Sequence, residues 1–194
     1  MGDELERRGF LGRRCVHFDF GANLRRIAAA PEPEPGLTAS ELQSVRYSLA
    51  TGALFEARDL PMIVKILRSF AARRRLTSES LLILNGMPRY GRQAESLAGN
   101  VDVERVVRLE ASAAVIRTRI RIDTGGDRAE RIDDSYEAVE RRLAVFRERT
   151  LPLIDHYRTR GVPISVIPVT AGMTAGEMFE TLARMMESGG GGRP

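Results

Sequence analysis

Three stretches of this 194-residue sequence combine glycine turns, carboxylates and arginines. The first is Asp19-Phe-Gly-Ala-Asn-Leu-Arg25. The second is Leu84-Asn-Gly-Met-Pro-Arg89, followed by Gln93. The third runs from Arg131-Ile-Asp-Asp134 through Arg142 to Arg149-Thr-Leu-Pro-Leu-Ile-Asp155 and Tyr157. A guanidinium is permanently charged and forks onto two oxygens at once, so arginines beside flexible turns suit phosphate. Lys65 is the only lysine, and every other basic residue is an arginine. GC-rich codon usage accounts for that bias equally well, and solvated helix arginines are the alternative reading of Arg25, Arg119 and Arg142. Arg119 has Arg117 and Arg121 for neighbours, and Arg142 has Arg141.

Composition narrows the classes. An apolar content of 43% over this length supports one domain with a sizeable core. No run of 18 apolar residues occurs, and the charged start (Asp3, Glu4, Glu6, Arg7, Arg8) lacks a leader's apolar segment. No membrane partner and a cytoplasmic location are expected. Cys15 stands alone, so no internal disulfide can form, and with His17 and His156 scattered no metal cluster is expected. A nucleic-acid partner is not expected. The net charge is only +4, aromatics make up 6%, and acidic residues are interleaved with the basic ones.

The elements that would position these residues read as alternating strands and helices. A helix over 3–8 stops at Gly9, and 15–18 reads as a strand, with a helix following Gly21. Pro31, Pro33, Pro35 and Gly36 then break the chain. Thr38 and Glu41 form a capping box opening a helix that Gly52 ends. Asp59 and Pro61 open the next helix, with Ile63, Ile66, Leu67 and Phe70 on one face. Leu81 to Leu84 reads as a buried parallel strand, and 103–109 contains another. A long helix from Asp134 carries the stripe Val139, Leu143, Phe146, Thr150, Leu153 and Tyr157, with a kink predicted at Pro152. Ile164–Val169 is a strand, and Thr174 with Glu177 caps a last helix to about 187. The fold class is α/β, a three-layer parallel sheet flanked by helices, whose ligand belongs at the carboxyl ends of the strands.

The order and spacing of the three stretches resemble those of adenylate kinases and other nucleoside monophosphate kinases, of the short-lid type, over about residues 3–187. The resemblance implies one nucleotide-kinase-like domain over 1–187, with an acceptor-binding helical part at 22–76, a short lid at 122–132 and a flexible glycine-rich tail at 188–194. It implies phosphotransfer from ATP to AMP, or to another nucleoside monophosphate, with Mg²⁺ accompanying ATP. It also implies roles. Arg25 and Arg89 would clamp the acceptor phosphate beside Gly21 and Gly86. Gly52, Leu54 and Phe55 would line the acceptor base, and Gln93 would read its edge. Arg119 would stack on the donor base, while Arg131 and Arg142, with Arg89, would serve the transferring phosphoryl group. Asp133 and Asp134 would be the lid acids.

The sequence also departs from that family. No Gly-x-x-x-x-Gly-Lys-[Ser/Thr] motif occurs in it. The resemblance therefore leads us to expect that the family's first strand and phosphate loop are missing, with impaired transfer or a pseudokinase that only binds AMP as the consequence. It also leads us to expect an unpaired sheet edge open to self-association. Asn85 stands where the family has an acid near Mg²⁺, and Asp19 and Phe20 replace a small hydroxyl pair.

Overall fold

The computed structural model describes residues 1–31, 34–124 and 136–189. They form two compact units, Gly2–Asp102 and Val103–Pro194.

The first unit runs α1 (Gly2–Arg8), β1 (Cys15–Asp19), α2 (Phe20–Ala29), α3 (Ala39–Thr51), α4 (Leu60–Arg73), β2 (Leu81–Asn85) and α5 (Gly91–Leu97). α2 starts at Phe20, one residue before the predicted glycine, because the Asp19 carboxylate accepts the Ala22 N–H at 2.8 Å and caps it. Its Phe20, Leu24 and Ile27 recur at helical spacing and are buried. α3 has the capping box of Thr38 and Glu41 and ends at Gly52, whose φ of 71° is the left-handed conformation that glycine adopts most easily. Lys65 on α4 bonds Glu41 at 2.8 Å, so the sole lysine ties α4 to α3. β1 pairs parallel with β2, and Phe18 meets Phe70 edge-on at 4.8 Å in the core. A buried phenylalanine of this kind contributes roughly 1.5–3 kcal/mol.

β2 differs from the expectation of a buried strand: Leu81 to Leu84 are only partly buried. The Leu81 N–H donates to the Arg14 carbonyl, so odd-numbered β2 residues face β1 and the peptide groups of Leu82 and Leu84 face the other way. No strand covers that outer edge among the described residues. The corresponding edge of β1 is closed, since the His17 N–H donates to the Glu6 carboxylate at 2.6 Å. Glu34, beyond α2, is 6% exposed. Its carboxylate takes Arg26 at 2.7 Å, Arg73 at 2.5 Å and the Ser69 hydroxyl. Burial pushes the Glu34 carboxyl up, but the Ser69 hydroxyl and the Arg26 guanidinium outweigh it, and its pKa lies below the ordinary carboxylate value.

The second unit runs β3 (Val106–Glu110), α6 (Ala113–Ile122), α7 (Tyr136–Val145), a π-helical segment (Phe146–Thr150), α8 (Leu153–Arg158), β4 (Ile164–Pro168) and α9 (Ala175–Gly189). β3 pairs parallel with β4, so the described strands make two two-stranded sheets rather than one larger sheet. The predicted long helix is interrupted. The Leu151 N–H reaches back five residues to the Phe146 carbonyl, and this wide turn shifts the helical phase. Val139, Leu153 and Tyr157 of the predicted stripe are buried, whereas Phe146 is 37% exposed. The last helix has its expected cap, with the Glu177 N–H on Thr174 Oγ1 and the Thr174 N–H on Glu177. α5 and α6, both short, were not anticipated from the sequence. No described helix is long and apolar enough to cross a membrane.

Candidate functional site

The parallel register sets Asp19 beside Asn85, so the turns after β1 and β2 leave the carboxyl end of one sheet together. That is where a twisted parallel sheet opens a crevice for ligands. Asn85 Nδ2 lies 3.4 Å from Asp19 Oδ2, and Asn23 Nδ2 donates to the Asp19 carbonyl at 2.8 Å. The exposed Arg25 follows on α2 and makes no ion pair among the described residues. A Cβ placed on Gly21 would stand 3.4 Å from Asp19 Oδ1 and 3.5 Å from Arg25 Nη1, so carboxylate and guanidinium converge over this glycine without closing on each other. Arg25 is thus left without an ion pair among the described residues, with the Asp19 carboxylate close by.

The second turn is held as firmly. Gly86 has a φ of 84°, and a Cβ there would touch Phe20 Cβ at 3.5 Å. Phe20 in turn meets Phe55 edge-on at 5.7 Å, so one aromatic pair links both turns to the 52–55 segment. Gly52 is exposed, Leu54 half-buried and Phe55 buried. Arg89 is half-buried, and its N–H donates to Gln93 Oε1 at 2.7 Å. Gln93 itself is 3% exposed, and its Nε2 donates to the Phe55 carbonyl at 3.2 Å. The amide expected to face a base is therefore turned onto backbone, leaving one N–H of its donor end in hand. Tyr90, which sequence reasoning did not single out, donates its hydroxyl to the same Phe55 carbonyl at 2.8 Å. The only sequence signal for it was an aromatic following Arg89 in a turn.

In the second unit, Arg119 Nη1 donates to the carbonyls of Thr170, Ala171 and Met173 at 2.9, 3.3 and 2.6 Å. These charge-assisted bonds hold the turn after β4 in place. A depression of about 550 Å³ lies between that turn and α9, lined among others by Thr170, Met173, Glu177, Thr181 and Arg184. Arg142 is half-buried on α7, while Arg117 bonds Glu140 at 3.0 Å and ties α6 to α7. Arg131, Asp133 and Asp134 lie outside the described residues.

Among the described residues no group of three acidic, histidine or cysteine side chains gathers as a metal cage. Mg²⁺ needs no such cage when it arrives with phosphates, since it keeps waters and takes one or two protein oxygens. Asp19 and Asn85 are the polar pair nearest that description, with Asp19 Oδ1 taken by the Ala22 N–H and Asn85 turning its Nδ2 towards Asp19 Oδ2.

No family model matches the chain. Curated proteins do. The chain is 35% identical over 85 residues to an adenylate kinase of Rhodopirellula baltica, covering 41% of this chain and 43% of that protein. It is 38% identical over 89 residues to an adenylate kinase of a Synechococcus strain, covering 43% and 45%. It is 31% identical over 111 residues to one from a Mycobacterium strain, covering 55% and 54%. The chain is thus related to the nucleotide-handling phosphotransferases, a class consistent with helices and parallel strands of this kind. Within that class it is a relative of the adenylate kinases, and it spans about half the length of the curated relatives it matches.

Proposed function

We propose that this chain is a nucleoside monophosphate kinase, with ATP and AMP as its substrates and two ADP as its products. In that reaction an acceptor phosphate oxygen bonds to the γ-phosphorus of ATP as the bond to the β-phosphate oxygen breaks. The observation that carries the reading is the Asp19–Asn85 register, which brings the turn before Arg25 beside the turn before Arg89. An acceptor phosphate with two negative charges would sit between these guanidiniums, and its base would lie against Leu54 and Phe55 within reach of Gln93. Arg119 would support the donor base through the 170–173 turn. Arg131 and Arg142 would meet the transferring phosphoryl group, held by Asp133 and Asp134. Catalysis of this kind is positioning and charge stabilisation. Mg²⁺ would neutralise phosphate charge, with Asp19 and Asn85 accepting hydrogen bonds from its water shell.

The finer proposals follow from the departures in sequence. The 194 residues carry no phosphate-binding loop, so transfer by them alone would be impaired. A parallel strand joining the free edge of β2 would extend the small sheet towards the three-layer fold of the resemblance. The cytoplasm is the compartment we propose. A second reading, an AMP-binding module without turnover, is favoured by the neutral Asn85. Calorimetry with AMP tests both: Arg25→Ala and Arg89→Ala should each weaken binding about tenfold or more, the scale of a lost charge-assisted hydrogen bond. Absence of AMP binding, or binding indifferent to both arginines, would refute the assignment. ADP formation by the chain with a restored loop separates kinase from binding module.

A further inference from the structure

The buried residues of α2 are apolar at Phe20, Leu24 and Ile27 but polar at Asn23, which is 8% exposed. Packing alone would be served by leucine there, and a buried carboxamide is costly unless it finds partners. Asn23 finds them in two directions. Its Nδ2 donates to the Asp19 carbonyl at the head of α2, at 2.8 Å, and its Oδ1 faces Arg73 Nη2 on α4 at 3.4 Å. Arg73 Nη1 lies 2.5 Å from Glu34 Oε1, and Glu34 Oε2 takes Arg26 at 2.7 Å. α2 is thus tied to Arg73 twice, at its first turn through Asn23 and further along through Arg26 and Glu34. Two ties along one side of a helix fix its rotation as well as its place. Arg25 leaves the helix about 200° round from Asn23, on the exposed side. A Cβ on Gly21 would stand 3.5 Å from Arg25 Nη1, so the guanidinium lies against the turn whose Asp19 carbonyl Asn23 holds.

We infer that Asn23 is a positioning residue of the acceptor-phosphate site: it couples the Glu34–Arg73 ion centre to the turn beneath Arg25, and so holds that guanidinium where a phosphate meets it. The inference rests on the proposed function and deepens it. Asn23 is buried and acts through the turn, not on the ligand. A charge-assisted bond from a guanidinium depends on its geometry, so the phosphate feels a loosened turn. The base and ribose, held elsewhere, do not.

The test is calorimetric titration of the whole chain with AMP and with adenosine, for wild type, Asn23→Leu, Arg25→Ala and the double variant. Asn23→Leu is expected to weaken AMP about fivefold, the scale of one ordinary net hydrogen bond, and to leave adenosine unchanged. In the Arg25→Ala background the same change is expected to weaken AMP less than about twofold, because the group that Asn23 positions is gone. A merely structural role would give the same loss in both backgrounds. That result would overturn the inference, as would an unchanged AMP affinity in Asn23→Leu or an equal loss for adenosine. The AMP cycle decides alone if adenosine binds too weakly to read, and Asn23→Ala takes the place of Asn23→Leu if leucine prevents folding. Should wild type bind AMP and Arg25→Ala weaken it, the proposed function stands whatever Asn23 does. If wild type does not bind AMP, or binds it indifferently to Arg25, that function fails and this inference falls with it.

Discussion

Replacing Glu34 by glutamine tests the ion cluster that fixes α2, and with it Arg25. Glutamine keeps the shape and removes the charge. Glu34 is nearly enclosed, with its carboxylate side chain 5% exposed, and it takes two guanidiniums and a hydroxyl. Glutamine offers one acceptor oxygen in place of two, so it can keep Ser69 and Arg73 on that oxygen but loses the bond from Arg26, and losing one bond to a charged group costs about 1.5–3 kcal/mol. Arg26 and Arg73 are 43% and 38% exposed, and water re-solvates them once the carboxylate is gone. That places the loss near 2 kcal/mol, below the 3–5 kcal/mol typical of stranding a buried charge. The pH dependence adds a second check. The folded-state pKa of Glu34 lies below the unfolded value, so its contribution is complete above the unfolded pKa and is lost as pH falls through the folded one. Urea unfolding should therefore give Glu34→Gln a deficit of about 2 kcal/mol at neutral pH that shrinks as pH falls below about 4. A deficit under about 0.5 kcal/mol at neutral pH, or one indifferent to acid, would refute the reasoning.

Two further outcomes are expected. Gly86→Ala should cost about 1–2 kcal/mol in thermal unfolding, because the φ of 84° strains any residue with a Cβ, whereas the 3.5 Å approach to Phe20 is ordinary contact. An unchanged melting temperature would argue against that conformation. We propose self-association through the free edge of β2, and Leu82→Pro removes the N–H that faces outward there while sparing the bonds to β1. Sedimentation should then find concentration-dependent association in wild type and less of it in the variant; a wild type that stays monomeric at tens of micromolar would end that idea.

Much of the local architecture was legible in the residues. Thr38 with Glu41, Gly52, Pro61 and Thr174 with Glu177 set helix ends through contacts within one turn, and such signals survive in sequence alone. The runs at 15–18, 81–84 and 164–169 marked strands because apolar stretches of that length between helices bury best in a parallel pair.

Other features required the tertiary structure. In the sequence Asp19 only stands where a small hydroxyl residue is expected, and in the fold it is the cap of α2 and the register partner of Asn85, 66 residues away. Glu34 read as part of a proline-rich link, and it is a buried ion centre for side chains 8 and 39 residues distant. The interrupted helix and the half-open β2 depend on a backbone phase and a neighbouring strand that no periodicity encodes. The resemblance implies that Gln93 reads the base, and it leaves open which way the amide turns. That was decided by the Phe55 carbonyl, 38 residues earlier, whose burial makes an unmet hydrogen bond more costly than a shared one.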